Sequence, residues 1–372
     1  MNPVSETYVS NHPQPNHIFP LDFESVQDVV PDSHTWNSPL NMFNIDESSK
    51  HVIRSVALPV IDLDDPNALE LLGDACQTWG VFQVMNHGVP LNLIKNIESE
   101  SRRLFSLPTE QKLKAVRLPG EVSGYGLAHI SKFFPKKMWS ESFCILGSPV
   151  EQARKLWPDQ DEADYSKFCE VIEEYRNEMK KLSERLMCLM LSSLGINTED
   201  PNWTGSSSTG EQKDTLSLLQ LNSYPVCPDP NRAMGLGPHT DSPFFTVVHQ
   251  TGPGLHVHRN QVGWVEVPPL QNALTIHIGD LFTVLSNGRF MSCVHRAAVN
   301  QTRHRLSVVY LHGPPMDVKV SPLMKLVDPD HPPLYRSVTW KEFLDIKAKN
   351  FDKALDQLIQ TVELGEDGKY IA

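Results

Sequence analysis

The 372-residue chain has little that would tie it to a membrane, a nucleic acid or an oxidising compartment. Its six cysteines, Cys76, Cys144, Cys169, Cys188, Cys227 and Cys293, are scattered without paired spacing, so they read as reduced thiols and not as a disulfide framework. No block of Lys or Arg appears, and 33 basic against 45 acidic residues leave a net charge of −12. Nucleic acid and anionic membrane are therefore not expected as partners. No apolar run approaches the roughly 20 residues that a membrane-spanning helix needs. No signal peptide is recognisable, which makes the cytoplasm the expected location and the sequons at Asn202 and Asn300 chance matches. There is no internal repeat and no sign of an obligate protein partner. What remains is an enzyme-sized chain with ample length for a buried core.

Residues 1–56 are rich in Asn, Ser, Pro and Asp and read as a flexible arm, with a short helix expected near Phe23–Val30. A strand-and-helix region follows over 57–200. It starts with strands around Leu58–Leu63 and Val81–Met85 and closes with a long helix over 161–194, where Phe168, Ile172, Tyr175, Met179, Leu182 and Leu186 recur at helical steps. His87, just before a Gly turn, reads as structural. Asp200–Asp214 reads as a surface loop. From 214 to 315 short strands and turns alternate, with candidates at Leu218–Tyr224, Phe245–Gln250, Leu255–His258, Val262–Val267, Leu274–Ile278, Phe282–Leu285, Val294–Asn300 and Leu306–Leu311. Residues 316–372 form a helical tail. The predicted class is α+β, a double-stranded β-helix (jelly roll) wrapped by helices from both ends.

The chemistry concentrates in that β-rich half. His239 and Asp241, in Gly-Leu-Gly-Pro-His-Thr-Asp-Ser, are two residues apart and would share one face of a strand. His295 follows in Ser-Cys-Val-His-Arg. Two His and one carboxylate with open positions are the ligand set of non-haem Fe(II) oxygenases. Ten residues further on, Arg305 and Ser307 share a strand face, where an Arg fork and a hydroxyl would grip a carboxylate. Tyr224, in Asn-Ser-Tyr-Pro-Val-Cys-Pro, adds a phenol upstream. His256 and His258 could pair on one strand face, but no third ligand accompanies them. The aromatic and basic stretch 124–143 reads equally as core or as the wall of an apolar pocket.

In this order, these elements resemble the plant 2-oxoglutarate- and Fe(II)-dependent dioxygenases. The resemblance covers about residues 57–315 and implies His239, Asp241 and His295 as metal ligands, and Tyr224, Arg305 and Ser307 as 2-oxoglutarate contacts. It also implies Fe(2+) as cofactor, 2-oxoglutarate and O2 as cosubstrates, and ascorbate as reductant. A narrower likeness, carried by Gly124–Glu141, Leu146-Gly-Ser-Pro, Leu156-Trp-Pro, Ile278-Gly-Asp-Leu and Leu285-Ser-Asn-Gly, is to the gibberellin 3-oxidases. It implies 3β-hydroxylation of a C19 gibberellin. Tyr125, Phe133, Phe134 and Trp139 would then pack the rings, and Lys136, or its neighbours Lys132 and Lys137, would pair the substrate carboxylate. His256 after Leu255, His277, and Ser292-Cys293-Val294 depart from the family pattern, which opens regiochemistry to other outcomes. The alternatives are oxidation at another gibberellin carbon, a flavonoid substrate, or a barrel that binds a small molecule without catalysis.

Overall fold

Two four-stranded layers form the centre of the molecule and leave a cavity between them. In the computed structural model, residues 20–23, 26, 28–36, 57–158, 162–197, 215–360, 363–364 and 370–371 are described. Numbered along the chain, the strands are β1 (Val60–Asp62), β2 (Val81–Met85), β3 (Gly124–Gly126), β4 (Glu141–Ile145), β5 (Leu216–Tyr224), β6 (Leu236–His239), β7 (Phe245–Gln250), β8 (Leu255–Arg259), β9 (Gly263–Val267), β10 (Leu274–Ile278), β11 (His295–Ala297) and β12 (Arg305–Gly313). One layer runs β10-β7-β12-β5 and the other β6-β11-β8-β9. The first is widened by β2 and β1 beyond β10, and by β4 and β3 beyond β5. This is the jelly roll expected from the strand spacing.

β12 illustrates why these residues make a strand. Leu306, Val308 and Tyr310 are buried on its core side, while Arg305, Ser307, Val309 and Leu311 line the cavity on the other. The period of two separates apolar packing from chemistry within one element.

The helices are α1 (Ala68–Thr78), α2 (Leu91–Phe105), α3 (Thr109–Leu113), α4 (Val150–Leu156), α5 (Glu162–Ser193), α6 (Asp280–Leu285) and α7 (Trp340–Asn350). α5 buries Phe168, Ile172, Tyr175, Met179, Leu182, Leu186 and Met190 and packs against α1 and α2. The tail helix α7 starts with a capping box, in which Thr339 Oγ1 accepts from the Glu342 amide at 3.1 Å and the Thr339 amide donates to Glu342 Oε2 at 2.9 Å. No described helix is long and apolar enough to cross a membrane, and all six cysteines are free.

Two elements differ from the sequence expectation. Phe282–Leu285 belongs to α6 and not to a strand. Every residue of that short helix is buried, so its apolar run carries no period by which to tell helix from strand. Leu236–His239 is a strand, as the reading of His239 on a strand face implies, because pairing with β11 overrides the weak local propensity of its Gly and Pro. The helix expected near Phe23–Val30 lies partly outside the described residues, and Val26 and Asp28–Val30 are not helical. The described part of the arm is docked: Val30, His34 and Trp36 are buried, and the Trp36 indole donates to Lys137 O at 3.0 Å. The loop expected over Asp200–Asp214 lies outside the described residues.

Candidate active site

β6 ends at His239, and β11 begins with His295 directly opposite it in register. Their rings are 4.2 Å apart. Each imidazole has Nδ1 beside a backbone carbonyl two residues upstream, Gly237 O at 2.9 Å and Cys293 O at 3.2 Å. That contact fixes Nδ1 as the protonated nitrogen and leaves Nε2 with its lone pair. The two Nε2 atoms lie 3.6 Å and 3.8 Å from Asp241 Oδ1.

Asp241 reaches them by a route other than a shared strand face, since it lies beyond the end of β6. The chain turns through Asp241-Ser242-Pro243, and the start of α6 receives it: the Asp280 amide donates to Asp241 O at 2.8 Å. Gly279 permits this approach, because a Cβ there would lie 2.1 Å from Pro243 O. The other carboxylate oxygen, Oδ2, accepts from Thr246 Oγ1 at 2.7 Å. Behind the turn, Lys347 of α7 donates to Thr240 O at 2.7 Å and to Asp280 Oδ2 at 2.5 Å. A buried ion pair thus braces the residue between His239 and Asp241.

Burial, reinforced by His295, lowers the His239 pKa to about 3. For Asp241, burial pushes the other way, and the imidazoles of His295, His239 and His277 with the Thr246 hydroxyl outweigh it, so its carboxyl is held below the usual range. A neutral imidazole and an ionised carboxylate are the protonation states that metal ligation needs. His239, Asp241 and His295 bring one donor atom each within 4.8 Å of the others, all on the cavity.

Across the cavity, Arg305 and Tyr224 are register partners on β12 and β5, and the guanidinium lies 4.7 Å above the phenol ring. Arg305 Nη2 donates to Gln250 Oε1 at 2.9 Å and Nε to Gly252 O at 3.2 Å. Nη1 is buried with no hydrogen-bond partner among the described residues. Ser307, two residues along, has its hydroxyl 3.2 Å from Asn222 Nδ2, which donates to it. A cation with one unmet donor, beside a hydroxyl and on the same cavity as an open His/Asp/His cluster, fits a small dicarboxylate that also reaches a metal.

Of the five residues expected to touch the substrate, the structure brings only Phe133 to the cavity, together with Lys132, His129 and Ile130 of the same 3-10 turn. Tyr125 is turned into the core, its hydroxyl donating to Glu141 Oε2 at 2.6 Å. Trp139 packs edge-on to Phe23 and donates to Val226 O. Phe134 packs between Trp36 and Phe351. Lys136 donates to Asp32 O at the surface. Aromatic content marks a buried stretch but not which side of it faces a ligand. Residues that the sequence reading missed are Asn222, Gln250, Thr246 and Lys347. Asn222 was within reach of the period-two argument, being two residues from Tyr224; the others approach from distant segments without a local signal. His87 and His256 have structural roles: His87 Nδ1 accepts from the Val89 amide and His256 Nδ1 from Arg296 Nε.

Residues 215–314 match the model of the 2OG-Fe(II) oxygenase superfamily, and 58–160 match that of the non-haem dioxygenase in morphine synthesis N-terminal region. The chain is 51% identical over 359 residues to gibberellin 3-beta-dioxygenase 1 of Pisum sativum, covering 96% of this chain and 94% of the relative. It is 49% identical over 338 residues to gibberellin 3-beta-dioxygenase 1 of Arabidopsis thaliana, covering 91% and 92%. Among solved structures, JOX2 in complex with 2OG, Fe and JA superposes with a TM-score of 0.74 at 27% identity, covering 92% of this chain and 98% of that one. The rice dioxygenase for auxin oxidation superposes with a TM-score of 0.66 at 26% identity, covering 82% and 100%.

Proposed function

The chain belongs to the 2OG-Fe(II) oxygenase superfamily, and from that premise we propose that it hydroxylates C19 gibberellin precursors at the 3β carbon, using Fe(II), 2-oxoglutarate and dioxygen. The observation that carries the reading is Arg305: its buried Nη1, without a hydrogen-bond partner among the described residues, belongs to a side chain that lines one cavity with the His239/Asp241/His295 cluster. The gibberellin substrate is supported by relatives of that name over more than nine-tenths of the chain.

In this reading His239 Nε2, Asp241 Oδ1 and His295 Nε2 hold Fe(II), with Thr246 keeping the carboxylate turned so that Oδ1 faces both imidazoles. Arg305 and Ser307 take the far carboxylate of 2-oxoglutarate, and Tyr224 and Gln250 hold the guanidinium flat for it. Bound iron and 2-oxoglutarate supply the oxidising chemistry: dioxygen gives one atom to 2-oxoglutarate, which leaves as succinate and carbon dioxide, and one to the substrate as hydroxyl. Phe133, Ile130 and Leu344 supply an apolar wall against the ring skeleton. The substrate carboxylate pairs with Lys132, the only one of the three candidate lysines on the cavity lining. Burial, and then Arg117, lower its pKa to about 8, and an incoming carboxylate offsets both. The proposed location is the cytoplasm, and the reaction needs no macromolecular partner.

The test supplies purified protein with Fe(II), 2-oxoglutarate, ascorbate and C19 gibberellins, and identifies products by mass spectrometry. A 3β-hydroxylated product is expected, abolished by Asp241→Ala and strongly reduced by Arg305→Ala. Lys132→Met is expected to raise the gibberellin KM by roughly 10- to 100-fold, the worth of a charge-assisted hydrogen bond, with the 2-oxoglutarate KM little changed. Succinate without a gibberellin product would direct the search to other substrates, and an unmoved gibberellin KM in the lysine variant would place its carboxylate elsewhere.

A further inference from the structure

His277 and Cys293 stand next to the proposed iron ligands and have no part in the reaction above. His277 sits on β10 opposite Thr246 of β7, and Cys293 lies two residues before His295. His277, Cys293 and His295, all buried, place two imidazole nitrogens and a sulfur within 4.8 Å of one another. The rings of His277 and His295 are 4.3 Å apart.

His277 is only 1% exposed, yet neither ring nitrogen has a hydrogen-bond partner among the described residues. Its Nδ1 lies 3.8 Å from Asp241 Oδ2, too far for a hydrogen bond. A buried imidazole normally satisfies both nitrogens, and one with neither met is poised for a cation or a rearranged partner.

We propose that His277, Cys293 and His295 form a second metal site, selective for a thiophilic divalent ion of the Zn2+ type, which shares His295 with the oxygenase triad. Sulfur and imidazole are the ligands zinc prefers, at about 2.0–2.3 Å, which sets tetrahedral ligand atoms roughly 3.3–3.8 Å apart. Separations of no more than 4.8 Å reach this by a contraction of at most about 1–1.5 Å, within the range of side-chain rotation. Asp241 Oδ2 faces His277 and offers a fourth ligand. Binding exchanges the Cys293 thiol proton for the metal and releases that proton to solvent, with nothing oxidised or reduced. His295 Nδ1 is engaged with Cys293 O, so only Nε2 is free, and the two metals exclude each other. This exclusion rests on the reading that iron uses His295; the thiolate site itself does not. Zn2+ also stands above Fe2+ in intrinsic affinity for such donors, so the site makes the enzyme sensitive to the ratio of the two ions.

Cobalt(II) serves as the probe, because a Co–thiolate bond gives a charge-transfer band in the near ultraviolet that nitrogen and oxygen ligands do not. Titration of the full chain without oxygen is expected to produce this band at one equivalent, with release of one proton. Cys293→Val, which keeps an apolar side chain, and His277→Asn are both expected to lose the band while still binding Fe(II). Zn2+ is expected to bleach the band in the wild type, and saturation with Fe(II) and 2-oxoglutarate to prevent it. A band that survives in Cys293→Val, or no band in a wild type that binds iron, overturns the second site and leaves the oxygenase reading standing. A band that forms undiminished on iron-saturated protein overturns the exclusion. A band lost in Cys293→Val, in a protein that binds neither iron nor 2-oxoglutarate, supports the second site and counts against the oxygenase reading instead.

Discussion

His256 and His312 are among the buried imidazoles outside the proposed ligand set, and they contribute to how the fold responds to acid. Burial, with Arg296 and Arg305 nearby, lowers His256 to about 3, and burial, with Lys180, lowers His312 to about 4. The unfolded chain protonates such residues near pH 6.5, so between these values the unfolded state binds more protons and stability falls with falling pH. Their contribution is fully present above about pH 6.5 and is lost towards pH 3–4. Each histidine adds a slope of up to about 1.4 kcal/mol per pH unit in that window. Denaturant unfolding of metal-free protein at pH 7.5 and 5.5 is expected to show the loss, and His312→Asn to remove about one histidine's share of it. At this scale much of the site was legible. Arg305 and Ser307 share a face because side chains alternate along β12, and Asn222 follows from the same rule. Asp241 lies beside His239 for a different reason, since a turn anchored on α6 replaces the strand that the spacing implies.

α7 and α6 act on the proposed metal site without supplying a ligand. Lys347 is 6% exposed and Asp280 1%, and Thr240 Oγ1 donates to Asp280 Oδ2 at 3.0 Å. Removing only the cation leaves a buried carboxylate unpaired, which costs on the order of 3–5 kcal/mol. Lys347→Met is therefore expected to lower unfolding stability by about that amount and to weaken iron binding, read by denaturation and by metal titration. The double variant Lys347→Met/Asp280→Asn is expected to regain part of the stability, because no buried charge is left alone. The long helix α5 and most of the strands were legible from apolar period. α6 was not, being too short and too uniformly buried for a period to show. Nor was the brace, since Lys347 and Thr240 are 107 residues apart and nothing local links them.

Segments from the N-terminal arm and from just beyond α7 meet behind the cavity wall. Trp36 from the N-terminal arm and Phe351 after α7 both pack on Phe134, at ring separations of 5.5 Å and 5.3 Å, and Phe351 also lies 4.7 Å from Phe133. Phe133 lines the cavity, so the position of this wall depends on segments about 300 residues apart in sequence. Trp36→Ala opens a cavity behind it, at a cost of roughly 3–5 kcal/mol. The gibberellin KM is expected to rise about tenfold while the 2-oxoglutarate KM stays within about twofold, a split that steady-state kinetics with each substrate varied in turn would reveal. Composition alone made the arm look free, because its few apolar residues carry no period and their partners lie far away. The brace from α7 also gives the molecule a clock. His295, the last proposed iron ligand, is translated 52 residues before Lys347, a lag of roughly 3–10 seconds at ordinary elongation rates. During that interval the growing polypeptide carries every proposed iron ligand but lacks the cation that braces the turn between His239 and Asp241, so secure capture of iron waits for α7.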